Sequence, residues 1–238
     1  MKHEFTAFID DLKHTHGRNL VSVILFGSAA AGDHVAESSD YNILIALEKI
    51  GPADLRNSHA AVREWVRTGN PVPIYFTVGE LHDASDVFPI EFYHMSIARK
   101  VLFGPDVLAD VAVEPGNLRL QAEYELRSKL IQLRRHYIPA SATVDGLKQL
   151  MGESLSSFAA LFSAVLIVKG VNPPATKREI LRLTAQQLDL DGLPFEKILN
   201  IRENNFTEKL DEKTANELFG QYLEQIENVI DAVDAVGK

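Results

Sequence analysis

Three features are missing from this 238-residue chain, and each absence narrows what it can do. It has no cysteine, which excludes disulfides and thiolate metal sites and favours a cytoplasmic location. No window approaches the ~20 uninterrupted apolar residues of a membrane helix, and the N-terminus lacks the apolar stretch of a signal peptide. Basic residues number 24 against 33 acidic ones, and a net charge of −9 argues against broad nucleic-acid binding. We therefore expect a cytoplasmic protein with neither a membrane nor extended nucleic acid as its partner.

The first half of the chain alternates short apolar runs with helical periodicity, which predicts a small α/β (α+β) domain with a mixed sheet. The run 21–26 is almost wholly apolar, which predicts a strand buried on both faces. The predicted strands are 21–26, 43–47, 71–77 and 98–103, the predicted helices are 3–15 and 53–67, and a less regular stretch follows the third strand.

The second half carries only helical periodicity, and the turn Glu114-Pro115-Gly116-Asn117 is the best boundary between the halves. We predict two domains, an α/β domain over 1–114 and an all-α helical bundle over 115–238. Its predicted helices lie at about 118–138, 147–166, 176–183, 194–203 and 218–233.

One motif in the first domain indicates chemistry. Gly27-Ser28 ends an apolar strand, eleven residues follow, and Asp40-Tyr41-Asn42 opens the next apolar strand. Alternate residues of a strand share a face, so the side chains of Asp40 and Asn42 are expected to converge near Gly27-Ser28. The plainer alternative is a tight turn with a serine cap, an aspartate that caps a turn, and an asparagine that hydrogen-bonds a strand end.

These residues resemble the nucleotidyltransferase superfamily signature, in which Gly-Ser precedes Asp-x-Asp on a second strand. The resemblance covers roughly the first hundred residues. Members of the superfamily include antibiotic nucleotidyltransferases and the small minimal nucleotidyltransferases. It implies that Gly27 and Ser28 bind the triphosphate of an NTP and that Asp40 and Asn42 hold Mg²⁺. Asn42 stands where the family has an acid, so Mg²⁺ binding is expected to be weak. Ala31 stands where an arginine is common in the family, which is a second departure from the signature.

The family also implies a third acid on a later strand, and the predicted third strand offers none. Glu91 is the best substitute, as a catalytic base or second ligand, because it is a lone acid among apolar neighbours. A buried ion pair between Glu91 and Arg99 or Lys100 explains the same pattern.

The helix at 118–138 carries cations that are candidates for binding the triphosphate. Arg127 and Arg134 lie seven residues apart and share a face, and Lys129 lies between them. The plainer alternative is helical pairing with solvent-exposed acids, such as Glu123 with Arg127.

Two functions stay open on the sequence alone. The first is an enzyme that moves a nucleoside monophosphate from Mg-NTP onto a hydroxyl of an unidentified acceptor, with catalysis weakened by Asn42. The second is a pseudoenzyme of the same fold that binds a nucleotide or a partner protein. Whether the chain forms a homodimer is likewise open.

Overall fold

The computed structural model describes residues 2–31, 41–174, 176–206 and 209–236, and it separates into two units, Met1–Glu114 and Pro115–Lys238. The first unit contains a four-stranded sheet with helices, and the second is helical. The elements of the first unit are α1 (Lys2–His16), a 3-10 turn (Gly17–Asn19), β1 (Leu20–Phe26), α2 (Ser28–Ala31), β2 (Asn42–Leu47), α3 (Pro52–Asn57), α4 (His59–Arg67), β3 (Ile74–Thr77), α5 (Val78–Asp83), α6 (Pro89–Ile97) and β4 (Arg99–Phe103).

The sheet is mixed and has the strand order β3-β2-β1-β4. β1 pairs antiparallel with β2 on one side and with β4 on the other, while β2 and β3 run parallel. The pairing places Phe26 opposite Asn42 on β2 and opposite Arg99 on β4. The end of β1 therefore lies between the beginnings of its two neighbours.

Both faces of the sheet are covered, which explains why its central strands are almost wholly apolar. On one face, Val23, Leu25 and Ile45 pack with α1 and with Trp65 of α4. On the other face, Ile24, Leu44 and Ala46 pack with Leu81 of α5 and with Phe92 and Met95 of α6. The predicted burial of β1 on both faces is confirmed.

Three predictions about the first unit need correction. The helix expected at 53–67 is two helices, because the Ser58 hydroxyl bonds the Asp54 carbonyl at 3.0 Å and the chain bends there. β3 begins at Ile74 rather than 71, since Pro71 and Pro73 cannot donate to a strand ladder. The stretch after β3 is not irregular but forms α5 and α6, and Thr77 with Glu80 makes a capping box at the start of α5.

A buried polar contact ties α1 to the bend between α3 and α4. His16 Nε2 lies 2.9 Å from Ser58 Oγ, and both residues are buried. Ser58 Oγ also lies 3.0 Å from the Asp54 carbonyl oxygen, and a hydroxyl that donates there can accept from His16 Nε2–H. Burial lowers the pKa of His16, and the nearby Asp54 carboxylate opposes that effect.

The second unit is built around one central helix. α8 packs against each of the other four helices of the unit, and its buried Phe158 and Phe162 form part of the aromatic core. Phe158 meets Tyr222 edge-on at 6.3 Å, and Phe162 meets Phe195 at 5.5 Å. The elements of this unit are α7 (Pro115–Ala140), α8 (Val144–Val168), α9 (Lys177–Gln187), α10 (Leu193–Arg202) and α11 (Glu212–Asp234).

Within the described part of the chain, α8 is the one helix whose length and composition would allow it to cross a membrane. Half of its most apolar window is buried inside the structure. The buried residues of α8 belong to the core that this helix forms with the other helices of its unit.

The first prediction concerns Gly104, which follows β4 with a positive φ of 76°. A Cβ at this position would overlap the Val21 carbonyl oxygen, which is backbone and cannot move aside cheaply. We expect Gly104→Ala to lower the free energy of unfolding by about 3 kcal/mol or more.

The matched control is Gly69→Ala, where φ is 93° but the Cβ meets nothing within 4 Å. It should cost only about 1–2 kcal/mol of backbone strain. Urea denaturation measures both, and equal losses would show that the contact with Val21 is unimportant.

The second prediction follows from the lowered pKa of His16. The folded state holds this ring neutral, so its contribution to stability is full above the unfolded-state pKa of about 6.5 and is lost as the pH falls through the lower, folded-state pKa. We expect the stability advantage of the parent over His16→Gln to shrink as the pH is lowered below about 6.5. The pKa of His94 is also lowered by burial, but His94 is present in both proteins and cancels in the difference. Urea melts at several pH values test this, and a pH-independent difference would contradict it.

Candidate functional site

The candidate site lies where β1 ends and β2 begins. Gly27 follows β1 with a φ of 81°, a backbone conformation that favours glycine. The Nδ2 atom of Asn42 lies 3.4 Å from the position that a Cβ on Gly27 would occupy. The structure therefore brings together Gly27 and Asn42, which the sequence separates by fourteen residues.

The orientation of Asn42 follows from its neighbours. The Tyr41 ring lies 5.0 Å from Phe5 and 6.3 Å from Trp65, on the face of the sheet covered by α1 and α4. Successive side chains of a strand alternate, so Asn42 lies on the opposite face with its pairing partner Phe26. The predicted Asp40 lies outside the described residues, as does the side chain of Ser28.

The backbone of Gly27 has a different role from the one expected. Its N–H donates to the Ala98 carbonyl at 3.0 Å, and its carbonyl accepts from Ala30 N–H at 2.9 Å. The Gly27 N–H is thus not free to donate to a phosphate, in contrast to the expectation from the Gly-Ser turn. Gly27 instead supplies the positive φ that turns the chain from β1 into α2.

The pairing of β4 with β1 brings a cation to the same end of the sheet. Arg99 lies across β1 from Asn42, with Phe26 between them. Its guanidinium binds both carboxylate oxygens of Asp106, the shorter contact being 2.9 Å. Sequence reasoning missed this position of Arg99, because spacing along the chain does not reveal which strand will pair with β1.

Glu91 lies in the first turn of α6, and its side chain is exposed. Arg99, one of the two cations considered for a buried ion pair with Glu91, binds Asp106. One turn further along α6, burial lowers the pKa of His94, and the Glu91 carboxylate opposes this effect. The role of Glu91 as a base stays a prediction.

The three candidate cations of α7 have different surroundings. Arg127 Nε bonds Glu123 at 2.8 Å, as the plainer alternative expects, and Arg134 bonds Glu227 of α11 at 2.6 Å. Lys129 instead lines a groove between α7 and α8, next to His136. The role of these three residues in binding a triphosphate stays a prediction.

The donor set for Mg²⁺ is incomplete in the part of the chain that the structure describes. No group of three His, Cys, Asp or Glu side chains there could hold a metal ion. Asn42 offers one neutral oxygen, which can ligate a hard cation but contributes no charge. The described residues therefore fit Mg²⁺ only weakly, and a stronger site requires Asp40.

Comparison with known proteins supports the fold. No family model matches the chain, and no curated protein matches it. It resembles the crystal structure of spectinomycin adenyltransferase AAD(9) from Enterococcus faecialis with ATP and spectinomycin, at a TM-score of 0.57 and 12% identity. The match covers 96% of this chain and 99% of that one. AAD(9) is a nucleotidyltransferase superfamily member, so the predicted fold class, a mixed sheet with helices followed by a helical region, is confirmed.

The third prediction tests whether position 42 belongs to a metal site. We expect Asn42→Asp to lower stability by about 1 kcal/mol without metal, because it places a second carboxylate two residues after Asp40. Millimolar Mg²⁺ should offset that loss, since a dication gains a charged ligand. Melting curves of parent and variant, with and without Mg²⁺, measure the effect.

The matched control is Asn57→Asp, which adds the same charge at an exposed position of α3. It should show no response to Mg²⁺ beyond that of the parent. A variant at position 42 that responds no more than this control would exclude position 42 from a metal site.

Proposed function

We propose that this chain is a nucleotidyltransferase that moves a nucleoside monophosphate from Mg-NTP onto a hydroxyl of an unidentified acceptor, with its activity weakened by Asn42. The observation that carries the proposal is the structural match to an adenyltransferase. That match extends over 96% of this chain and 99% of the other, so it includes the helical unit as well as the sheet. A likeness confined to a small α/β core would support nucleotide transfer less.

The geometry of the site supports the same proposal. Gly27 and Asn42 meet at the end of β1, which is where the resemblance to the nucleotidyltransferase signature requires them. Of the two polar atoms of the Asn42 amide, the oxygen is the one that can ligate a cation. Asn42 and Asp40 would hold Mg²⁺, which neutralises charge on the phosphate oxygens during phosphoryl transfer.

The neutral amide explains why the activity is proposed to be weak. A site that holds metal with shared carboxylates loses charge when one becomes an amide. Loss of one preorganised electrostatic group typically costs on the order of 10²–10³ in rate. Glu91 is the proposed base for the acceptor hydroxyl, and its side chain is exposed.

A second candidate function is a non-catalytic protein that binds a nucleotide or a partner protein through the same fold. Asn42 favours it, together with the lack of any three-residue acidic or histidine cluster among the described residues. The two candidates share nucleotide binding as one outcome and differ in turnover. The proposed cytoplasmic location suits either.

The fourth prediction is that Mg-NTP stabilises the protein and is slowly consumed. A nucleotide at ~100 times its dissociation constant should raise the free energy of unfolding by about 2.7 kcal/mol. Thermal shifts with each NTP, with and without Mg²⁺, measure binding. Transfer of label from an NTP to a panel of hydroxyl compounds measures turnover. ATP and spectinomycin belong in the first panel, since AAD(9) was solved with both.

The matched controls are Asn42→Leu, which removes the amide, and Asn57→Leu, which makes the same change on α3. The first should abolish the nucleotide-induced shift and the second should preserve it. A shift without label transfer would favour the non-catalytic candidate. No shift with any nucleotide at millimolar concentration would refute both nucleotide-binding proposals.

A further inference from the structure

Helix α7 has two apolar faces, and only one is used within its own unit. The buried face carries Leu118, Ala122, Leu126, Leu130 and Leu133. A second set of apolar side chains on the same helix is strongly exposed: Leu120 at 56%, Tyr124 at 69%, Ile131 at 58% and Ile138 at 75%. Large exposed side chains scattered singly need no explanation, but these lie on one face of one helix.

The exposed side chains follow a regular spacing. Leu120, Tyr124, Arg127, Ile131, Arg134 and Ile138 are separated alternately by four and three residues. We call these six residues the α7 stripe. Alternate steps of four and three are the spacing by which two helices pack along a shared seam. Leu120 and Ile138 are about five turns apart, so the α7 stripe runs straight along the helix for roughly 27 Å.

We propose that the α7 stripe is a homodimer interface, in which α7 packs antiparallel against α7 of a second copy of this chain. A two-fold axis level with Lys129 pairs Leu120 with Ile138 of the second copy, Tyr124 with Arg134, and Arg127 with Ile131. The spacing of the α7 stripe is symmetric about that level, so every residue of it finds a partner.

Charge favours this arrangement over the alternatives. In a parallel pair, Arg127 would meet Arg127 and Arg134 would meet Arg134, and opposed like charges weaken an interface. In the antiparallel pair, the Arg134 guanidinium lies over the Tyr124 ring of the second copy, a favourable cation–π contact. The stem of Arg127 covers Ile131 while its head stays paired with Glu123 of its own helix.

The dimer also assigns Arg127 and Arg134 to a different task from binding a triphosphate. Both guanidinium groups already have carboxylate partners in their own unit, Glu123 and Glu227. The interface needs only their stems and faces, so these ion pairs can persist in the dimer. Nothing in the dimer proposal depends on the chemistry proposed at Asn42.

The fifth prediction is that the full chain dimerises and that Ile131→Lys prevents it. Ile131→Lys places a cation against Arg127 of the second copy, so the dimer dissociation constant should rise by about tenfold or more. The control is Val87→Lys, which puts the same charge at an apolar side chain that is 60% exposed in the first unit. Sedimentation equilibrium over a wide concentration range measures both, with circular dichroism to verify folding. A chain that stays monomeric at all concentrations would overturn the proposal and assign the α7 stripe to another protein.

Disulfide crosslinking tests the antiparallel orientation of the two α7 helices. The chain has no cysteine, so introduced cysteines supply the only thiols. In the antiparallel dimer, the double variant L120C/I138C should form intermolecular disulfides under mild oxidation. Leu120→Cys alone should not, because the two copies of residue 120 lie roughly 27 Å apart along the seam. Crosslinking of the single variant would overturn the antiparallel arrangement. A dimer that Ile131→Lys leaves intact would show that it forms elsewhere.

Discussion

The antiparallel register between β1 and β2 is the constraint on which the first unit depends. Each residue of β1 from Ser22 to Phe26 has a fixed partner on β2, and the pairing ends with Phe26 opposite Asn42. β1 is also the strand to which β4 adds, so its register positions Arg99 as well. A slip of one residue would turn every buried side chain of β1 to the wrong face, which makes such a slip costly. The position of Asn42 next to Gly27 is thus held by the whole sheet core.

The fold and the proposed chemistry differ in how much they depend on single residues. The sheet is buried by many apolar side chains on its two faces. Truncating one of these side chains therefore removes only a fraction of the hydrophobic stabilisation. The affinity for a dication depends on the charges of the few ligands that touch it. A chain can therefore keep the overall fold of an adenyltransferase at 12% identity without keeping the same ligands at its site.

Two helices of the second unit, α8 and α7, differ in how much of their apolar surface is packed. α8 has almost no free apolar surface at its core positions, because four other helices pack against it. α7 is packed on one side only, and its apolar α7 stripe remains exposed. An exposed stripe of this length carries a free-energy cost in water that contact with another apolar surface would remove. The dimer proposed here removes that cost without placing arginine against arginine.

The fold class and the burial of β1 on both faces could be predicted from the order of residues alone, because apolar periodicity reflects which side chains avoid water. The sequence also predicted the proximity of Gly27 and Asn42, through strand parity and the Gly-Ser turn. The break at Ser58, the partner of Arg99 and the exposure of Glu91 were decided only by tertiary structure. Two of these residues make contacts that no spacing along the chain predicts: Ser58, which bonds the Asp54 carbonyl, also bonds His16 of α1, and Arg99 binds Asp106. Such pairings are set by which surfaces meet in the fold, and periodicity along the chain carries no record of them.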